Sequence, residues 1–263
     1  MTRINPLGIL TAGLATALAG CGGDAAQTAG LTVVAATSLK QPFSRIARDF
    51  ERTNPGTSVR LSFVASDRIA SQLRAGLRAD VVATADDRQM RELRAAGAVG
   101  TVTAFAGNRM TIAVAKNSKL KLRSPRDLAQ SVRLAVGDQR VPVGAYARES
   151  IERLGDRYGG GFEARVRGNI VTFGHSAADV IAPVALGGVD ASISYATDLR
   201  GAGGRVRAVE LPGWAQPAIA YWIAPAPAGR RSAVEFVRFV DGAAGRSAMR
   251  AAGFTAAPVG GKP

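Results

Sequence analysis

The chain has 263 residues, 47% of them apolar and 6% aromatic, enough for one large or two modest α/β domains with their own cores and too apolar for a disordered chain. A formal charge of +14 arises from 34 Lys and Arg against 20 Asp and Glu, yet Arg45, Arg48, Arg52 and Arg60 are dispersed among acidic residues. With no basic run interleaved with aromatics, this argues against a nucleic-acid partner, and one cysteine and one histidine exclude an internal disulfide and an ordinary zinc site.

The first twenty residues, MTRINPLGILTAGLATALAG, carry one early Arg3 and then an uncharged apolar run. They read as a secretory signal peptide, residues 1–20, ending in the lipobox-like Leu18-Ala19-Gly20-Cys21. Cys21 is then the expected lipidation site, and residues 21–30 a lipidated tether. No second stretch reaches the ~18 apolar residues that a membrane span needs, so an extracytoplasmic, membrane-anchored lipoprotein is expected.

After the tether, strands and helices alternate. Leu31 to Ala36 reads as a strand, Leu39 to Glu51 as a helix, and Ser58 to Val64 as a strand. A helix follows over Asp67 to Ala75, then a strand over Asp80 to Thr84 and a helix over Asp86 to Ala95. This βαβαβα run predicts a parallel sheet with helices on both faces. From Arg109 to Lys116 a long strand opens a second α/β unit. It continues with a short helix at SPRDL, a strand at Arg133 to Val136, and a helix from Gly144 to Leu154. A strand at Ile170 to Phe173, a helix from Ala177 and a strand at Ala191 to Ser194 complete it. The apolar run Ala218 to Ala224 and two helices near Ser232 to Val240 and Gly245 to Ala251 close the chain. The expected fold class is α/β: two sheets joined by two hinge strands, with one lobe over 31–107 plus 219–263 and the other over 108–218.

Ligands of open α/β sheets sit beyond the carboxyl ends of the strands, where helix N-termini point. Thr37-Ser38, Ala65-Ser66, Pro142-Val143-Gly144 and His175-Ser176-Ala177 are four such junctions, and none carries Lys or Arg. A site built from them holds an anion with neutral donors and helix dipoles. Ser38 is expected to cap its helix and to grip the anion with the same hydroxyl.

The segments VVAATSL, LSFVASDRIASQL, ADVVATADDRQM, NRMTIAVAK, RLAVGDQRVPVGAYARESIERLG and DASISYATD resemble, in order and spacing, those of the molybdate-binding proteins of ABC importers. These belong to the type II periplasmic binding protein family, and the resemblance runs from about Leu31 to Phe254. It implies a two-lobed periplasmic-binding-protein fold and an oxyanion held by the hydroxyls of Ser38 and Ser66, the backbone amides of Val143 and Ala177, and the hydroxyl of Tyr195. It further implies molybdate or tungstate as the ligand, no cofactor, a monomer, and an ABC permease with its ATPase as partners. Molybdate and tungstate are tetrahedral dianions without protons near neutral pH, so a cavity of donors suits them. Another small oxyanion such as sulfate is the alternative ligand. A serine hydrolase is the alternative of a different class, because GHSAA after a strand is similar to a nucleophile elbow with Ser176 as nucleophile. That reading lacks a base, since His175 is the chain's one histidine and sits beside the serine rather than on a later loop.

Overall fold

The computed structural model describes residues 29–258. The expected signal peptide and Cys21 lie outside the described residues. The last two residues assigned to the tether are already strand: Ala29 and Gly30 pair with Thr57 and Ser58.

The first sheet has the order β2-β1-β3-β10-β4. Its strands β1 (Ala29–Ala36), β2 (Thr57–Val64) and β3 (Val81–Thr84) run parallel. The β1 residues Leu31, Val33, Val34 and Ala35 are fully buried, as expected of a strand covered on both faces. Helix α1 (Lys40–Thr53) buries Phe43, Ile46, Ala47 and Phe50 and leaves Arg45, Arg48 and Arg52 outside, the spacing of one apolar stripe at helical period. Phe50 meets Phe236 of α8 (Arg231–Asp241) edge to face at 5.1 Å. Helices α2 (Ser66–Arg74) and α3 (Asp87–Ala95) follow β2 and β3.

This sheet is not wholly parallel. Strand β10 (Ile219–Pro225) lies antiparallel between β3 and β4 (Thr103–Asn108). The chain leaves the sheet along β4 and re-enters it along β10, so the two must run against each other. Strand β4 is hard to foresee, because TAFAGN alternates weakly and its partner lies more than a hundred residues on.

The second sheet, order β7-β6-β8-β5-β9, repeats the plan. Strands β6 (Leu134–Gly137), β7 (Ile170–Gly174) and β8 (Ala191–Tyr195) are parallel, and β5 (Met110–Ala115) runs antiparallel between β8 and β9 (Val206–Glu210). Helix α4 (Pro142–Tyr158) follows β6, α5 (Phe162–Gly168) precedes β7, and α6 (Ala177–Ala185) follows β7. Pro183 sits inside α6 without ending it. The short α7 (Asp198–Gly201) follows β8, and α9 (Ala243–Ala251) packs beside α8 and α1.

Two segments cross between the sheets. Arg109 alone separates β4 from β5, and a tight turn over Gly213–Ala215 lies between β9 and β10. β5 and β10 each lie within one sheet, and the chain crosses between the sheets at Arg109 and over 211–218. Gln216 clamps the crossings together, its Nε2 donating to the Met110 carbonyl and its Oε1 accepting from the Met110 N–H, both at 2.9 Å.

Candidate functional site

The carboxyl ends of the parallel strands of both sheets face one cleft of about 440 Å³. Thr37 and Ser38 reach it from the end of β1, Ala65 from the end of β2, and Val141 to Val143 from the start of α4. Ser176, Ala177 and Ala178 enter from the start of α6, and Tyr195, Thr197 and Asp198 from the end of β8. Of the expected ligand residues, Ser38, Val143, Ala177 and Tyr195 line this one space. Ser66 is the first residue of α2, next to Ala65 on the cleft wall; its side chain lies outside what the structure describes.

Local geometry explains why these groups are available. Pro142 has no N–H, and the Gly144 and Ala145 amides both return to the Val141 carbonyl, at 3.0 and 3.1 Å. The Val143 N–H, in the first turn of α4, belongs to the set of donors that a helix cannot satisfy from within. At α6 the Ser176 hydroxyl accepts from the Asp179 N–H at 3.2 Å and donates to the Asp179 carboxylate at 2.9 Å. Ser176 is thus a helix cap engaged with its own turn, and Ala177, the first residue of α6, lies inside that closed loop with its amide taking part in neither bond. His175 stands exposed beside it.

Ser38 differs from its expected capping role. It lies inside a one-turn 3₁₀ segment, Thr37–Leu39, whose N-cap is Ala36, and no side-chain cap bond forms there or at the start of α1. Its Oγ is buried without a hydrogen-bond partner. The Tyr195 hydroxyl is in the same condition, on a residue only 2% exposed. Unpaired buried hydroxyls cost about 1–3 kcal/mol each, so two of them at one cleft mark donors waiting for a ligand.

Burial, reinforced by the neighbouring Tyr221 and Tyr146, raises the Tyr195 phenol well above its ordinary range, so it stays a proton donor. Burial also raises Asp198 to about 7, opposed only by the hydrogen bond from the Tyr195 N–H at 3.3 Å. Asp198 as a residue is partly exposed along the cleft wall, while its carboxyl is withdrawn from solvent. In the turn before α4, Arg140 holds Asp138 down at about 2 through side-chain and backbone hydrogen bonds. Among the described residues no group of His, Cys, Asp and Glu could hold a metal ion.

Residues 31–255 match the family model described as bacterial extracellular solute-binding protein. The chain belongs to this family of solute-binding proteins. The molybdate-binding protein ModA of Mycobacterium tuberculosis is 34% identical over 260 residues, 94% of this chain and 96% of that one. Among solved structures, the periplasmic molybdate-binding protein of Azotobacter vinelandii superposes with a TM-score of 0.72 at 18% identity, over 87% of this chain and all of that one. The sulfate-binding protein SubI of M. tuberculosis gives 0.74 at 19% identity, covering 86% of each chain. These superpositions give the family member its fold, the two-lobed type II periplasmic-binding-protein architecture.

The sequence reading missed several cleft residues of this solute-binding protein. Thr197 and Asp198 stand two and three places after Tyr195 in SYATD, where a polar pair directly after a buried strand was a usable signal. Lys40, two residues after Ser38, and Arg200, five after Tyr195, also line the cleft, and Phe254 joins them from near the end of the chain, a meeting that no local pattern foretells.

Proposed function

We propose that the protein captures molybdate, and tungstate with it, outside the cytoplasm and delivers it to an ABC permease and its ATPase. The observation that carries this reading is the pair of buried, unpartnered hydroxyls, Ser38 Oγ and Tyr195 OH, lining one cleft with Val143 and Ala177, whose amides lie in first turns that a helix cannot satisfy from within. All of these are neutral donors. Such a set suits a dianion with no proton of its own, and each bond to it is worth about 1.5–3 kcal/mol. We assign Ser66, the first residue of α2, to the same site. The near-full-length kinship with ModA of M. tuberculosis supports the choice of ligand.

The proposal extends to the chain's organisation. Residues 1–20 are a signal peptide, Cys21 carries a lipid, and a short tether leads to a monomeric, non-enzymatic binding domain. Its lobes, 31–107 with 219–263 and 108–218, close on the ligand by hinge motion at the crossings. Among the described residues no helix is long and apolar enough to cross a membrane.

Calorimetric titration with molybdate, tungstate, sulfate and phosphate tests the ligand. Tight binding of the first two and far weaker binding of the others is the expected result; equal affinity for sulfate overturns the molybdate assignment. A Cys21→Ser variant that stays in the membrane fraction overturns the lipid anchor.

A further inference from the structure

Behind the cleft wall, where the chain crosses between sheets, lies a buried polar chain that none of the expected ligand residues explains. Asn108, the last residue of β4, is 5% exposed and Tyr221 of β10 is fully buried. The Asn108 Oδ1 accepts the Arg109 backbone N–H at 2.8 Å. A backbone N–H can only donate, so this bond fixes which end of the amide is oxygen. The Nδ2 group therefore points the other way, donating to the Tyr221 hydroxyl at 3.2 Å and to Thr197 Oγ1 at 3.0 Å.

Each of those oxygens, having accepted, must send its own hydrogen elsewhere. Burial holds the Tyr221 phenol well above its ordinary range, so it keeps its hydrogen. Thr197 and Ser38 both line the cleft.

We propose that Asn108 sets the hydrogen-bond polarity of Thr197 at the cleft: anchored by the Arg109 N–H, its Nδ2 makes Thr197 an acceptor, so that Thr197 turns its own hydrogen toward the ligand. This rests on the oxyanion-binding reading and deepens it. A fully deprotonated oxyanion finds only donors facing it. An oxyanion that keeps a proton at neutral pH, such as hydrogen arsenate or hydrogen phosphate, presents its O–H to a threonine hydroxyl that cannot turn round to accept it. Asn108 is a positioning residue that confers specificity without touching the ligand.

The test compares molybdate with hydrogen arsenate by calorimetry at pH 8, where both are dianions, on the mature protein. In Asn108→Asp the carboxylate still accepts the Arg109 N–H but also accepts from Thr197, which turns the threonine hydrogen away from the ligand. Molybdate affinity should fall about tenfold or more, and the molybdate-to-arsenate affinity ratio should narrow by about the same factor. The added negative charge repels both dianions alike, so an equal fall for both, or no change, overturns the proposal.

Should that variant not fold, Asn108→Ala and Thr197→Val decide: each should weaken molybdate binding several-fold, and the double variant no more than either alone; additive losses overturn the proposal. Wild-type protein that binds no fully deprotonated oxyanion overturns the functional reading together with this one. Wild-type protein that binds molybdate while the ratio stays fixed overturns this one alone.

Discussion

Two hydroxyls, Ser38 and Tyr195, hold the ligand's place at the residue scale. Each is buried and unpaired, so removing either oxygen relieves a desolvation cost in the empty protein while deleting a bond in the complex. Ser38→Ala and Tyr195→Phe should therefore each weaken molybdate binding by about 1.5–3 kcal/mol without lowering the melting temperature, as calorimetry and thermal unfolding will show. Ser176→Ala should do the reverse, costing about 1 kcal/mol of stability as a lost helix cap and little affinity. Asp198 adds a pH dependence. Its folded pKa, about 7, lies above the ordinary carboxylate value of 3.8, so the folded state favours the protonated form. Its contribution to stability is complete below about pH 4 and is lost as pH rises through about 7. The Asp198→Asn variant, which mimics the protonated form at every pH, should gain about 3 °C or more in melting temperature on the wild type between pH 5 and pH 8. A difference that stays constant across that range would show Asp198 ionised throughout.

The hand-overs from strand to helix are what aim the amides, and at the element scale they depend on close backbone approach. A Cβ on Gly144 would come within 2.0 Å of the Asp138 carbonyl oxygen, and one on Gly137 within 2.5 Å of the Gly144 nitrogen. The first turn of α4 thus butts directly against the end of β6, which brings the Val143 N–H to the cleft. Gly174 repeats the device, with Val180 and Asp179 of α6 within 2.9 Å of its missing Cβ. Gly144→Ala should cost at least about 1–3 kcal/mol of stability by overpacking, and should weaken molybdate binding in the protein that still folds. Unchanged affinity and melting temperature would mean that α4 can shift without moving the amide. Much of this was legible in the sequence. Strand-to-helix junctions with small residues stood out at AATSL, VPVG and GHSAA because hydrophobic period and helix-start chemistry are local signals. Strand β4, strand β9 and helix α5 were not legible. The partners of β4 and β9 lie far along the chain, and α5 is a seven-residue helix that buries only Phe162 and Val166. The capping role expected of Ser38 failed for a local reason: a 3₁₀ turn intervenes before α1, so its hydroxyl faces the cleft instead of the helix.

For the whole molecule, the cleft is bridged at its rim from one sheet's helices to the other's. Arg88 of α3 donates to the Arg140 carbonyl at 2.8 Å, and Arg200 of α7 donates to the Ala251 carbonyl of α9 at 2.9 Å. Both are exposed single bonds, individually weak, and suited to re-forming with each closure. Arg88→Ala and Arg200→Ala should each speed molybdate dissociation several-fold in stopped-flow experiments while leaving association nearly unchanged; an unaltered off-rate would show that the rim contacts do not hold the closed form. The order of the two sheets followed from the alternation of elements, whereas the rim contacts and the Asn108 chain join residues 50 or more positions apart and exist only in the folded molecule. The central claim is that neutral donors between the two sheets hold the oxyanion in a protein whose surface carries many free cations. Anomalous scattering from molybdenum in crystals grown with molybdate tests it most directly. The expected result is a single strong peak within hydrogen-bonding range of Ser38, Tyr195 and the Val143 and Ala177 amides, whereas peaks confined to surface arginines, with nothing in the cleft, would contradict it.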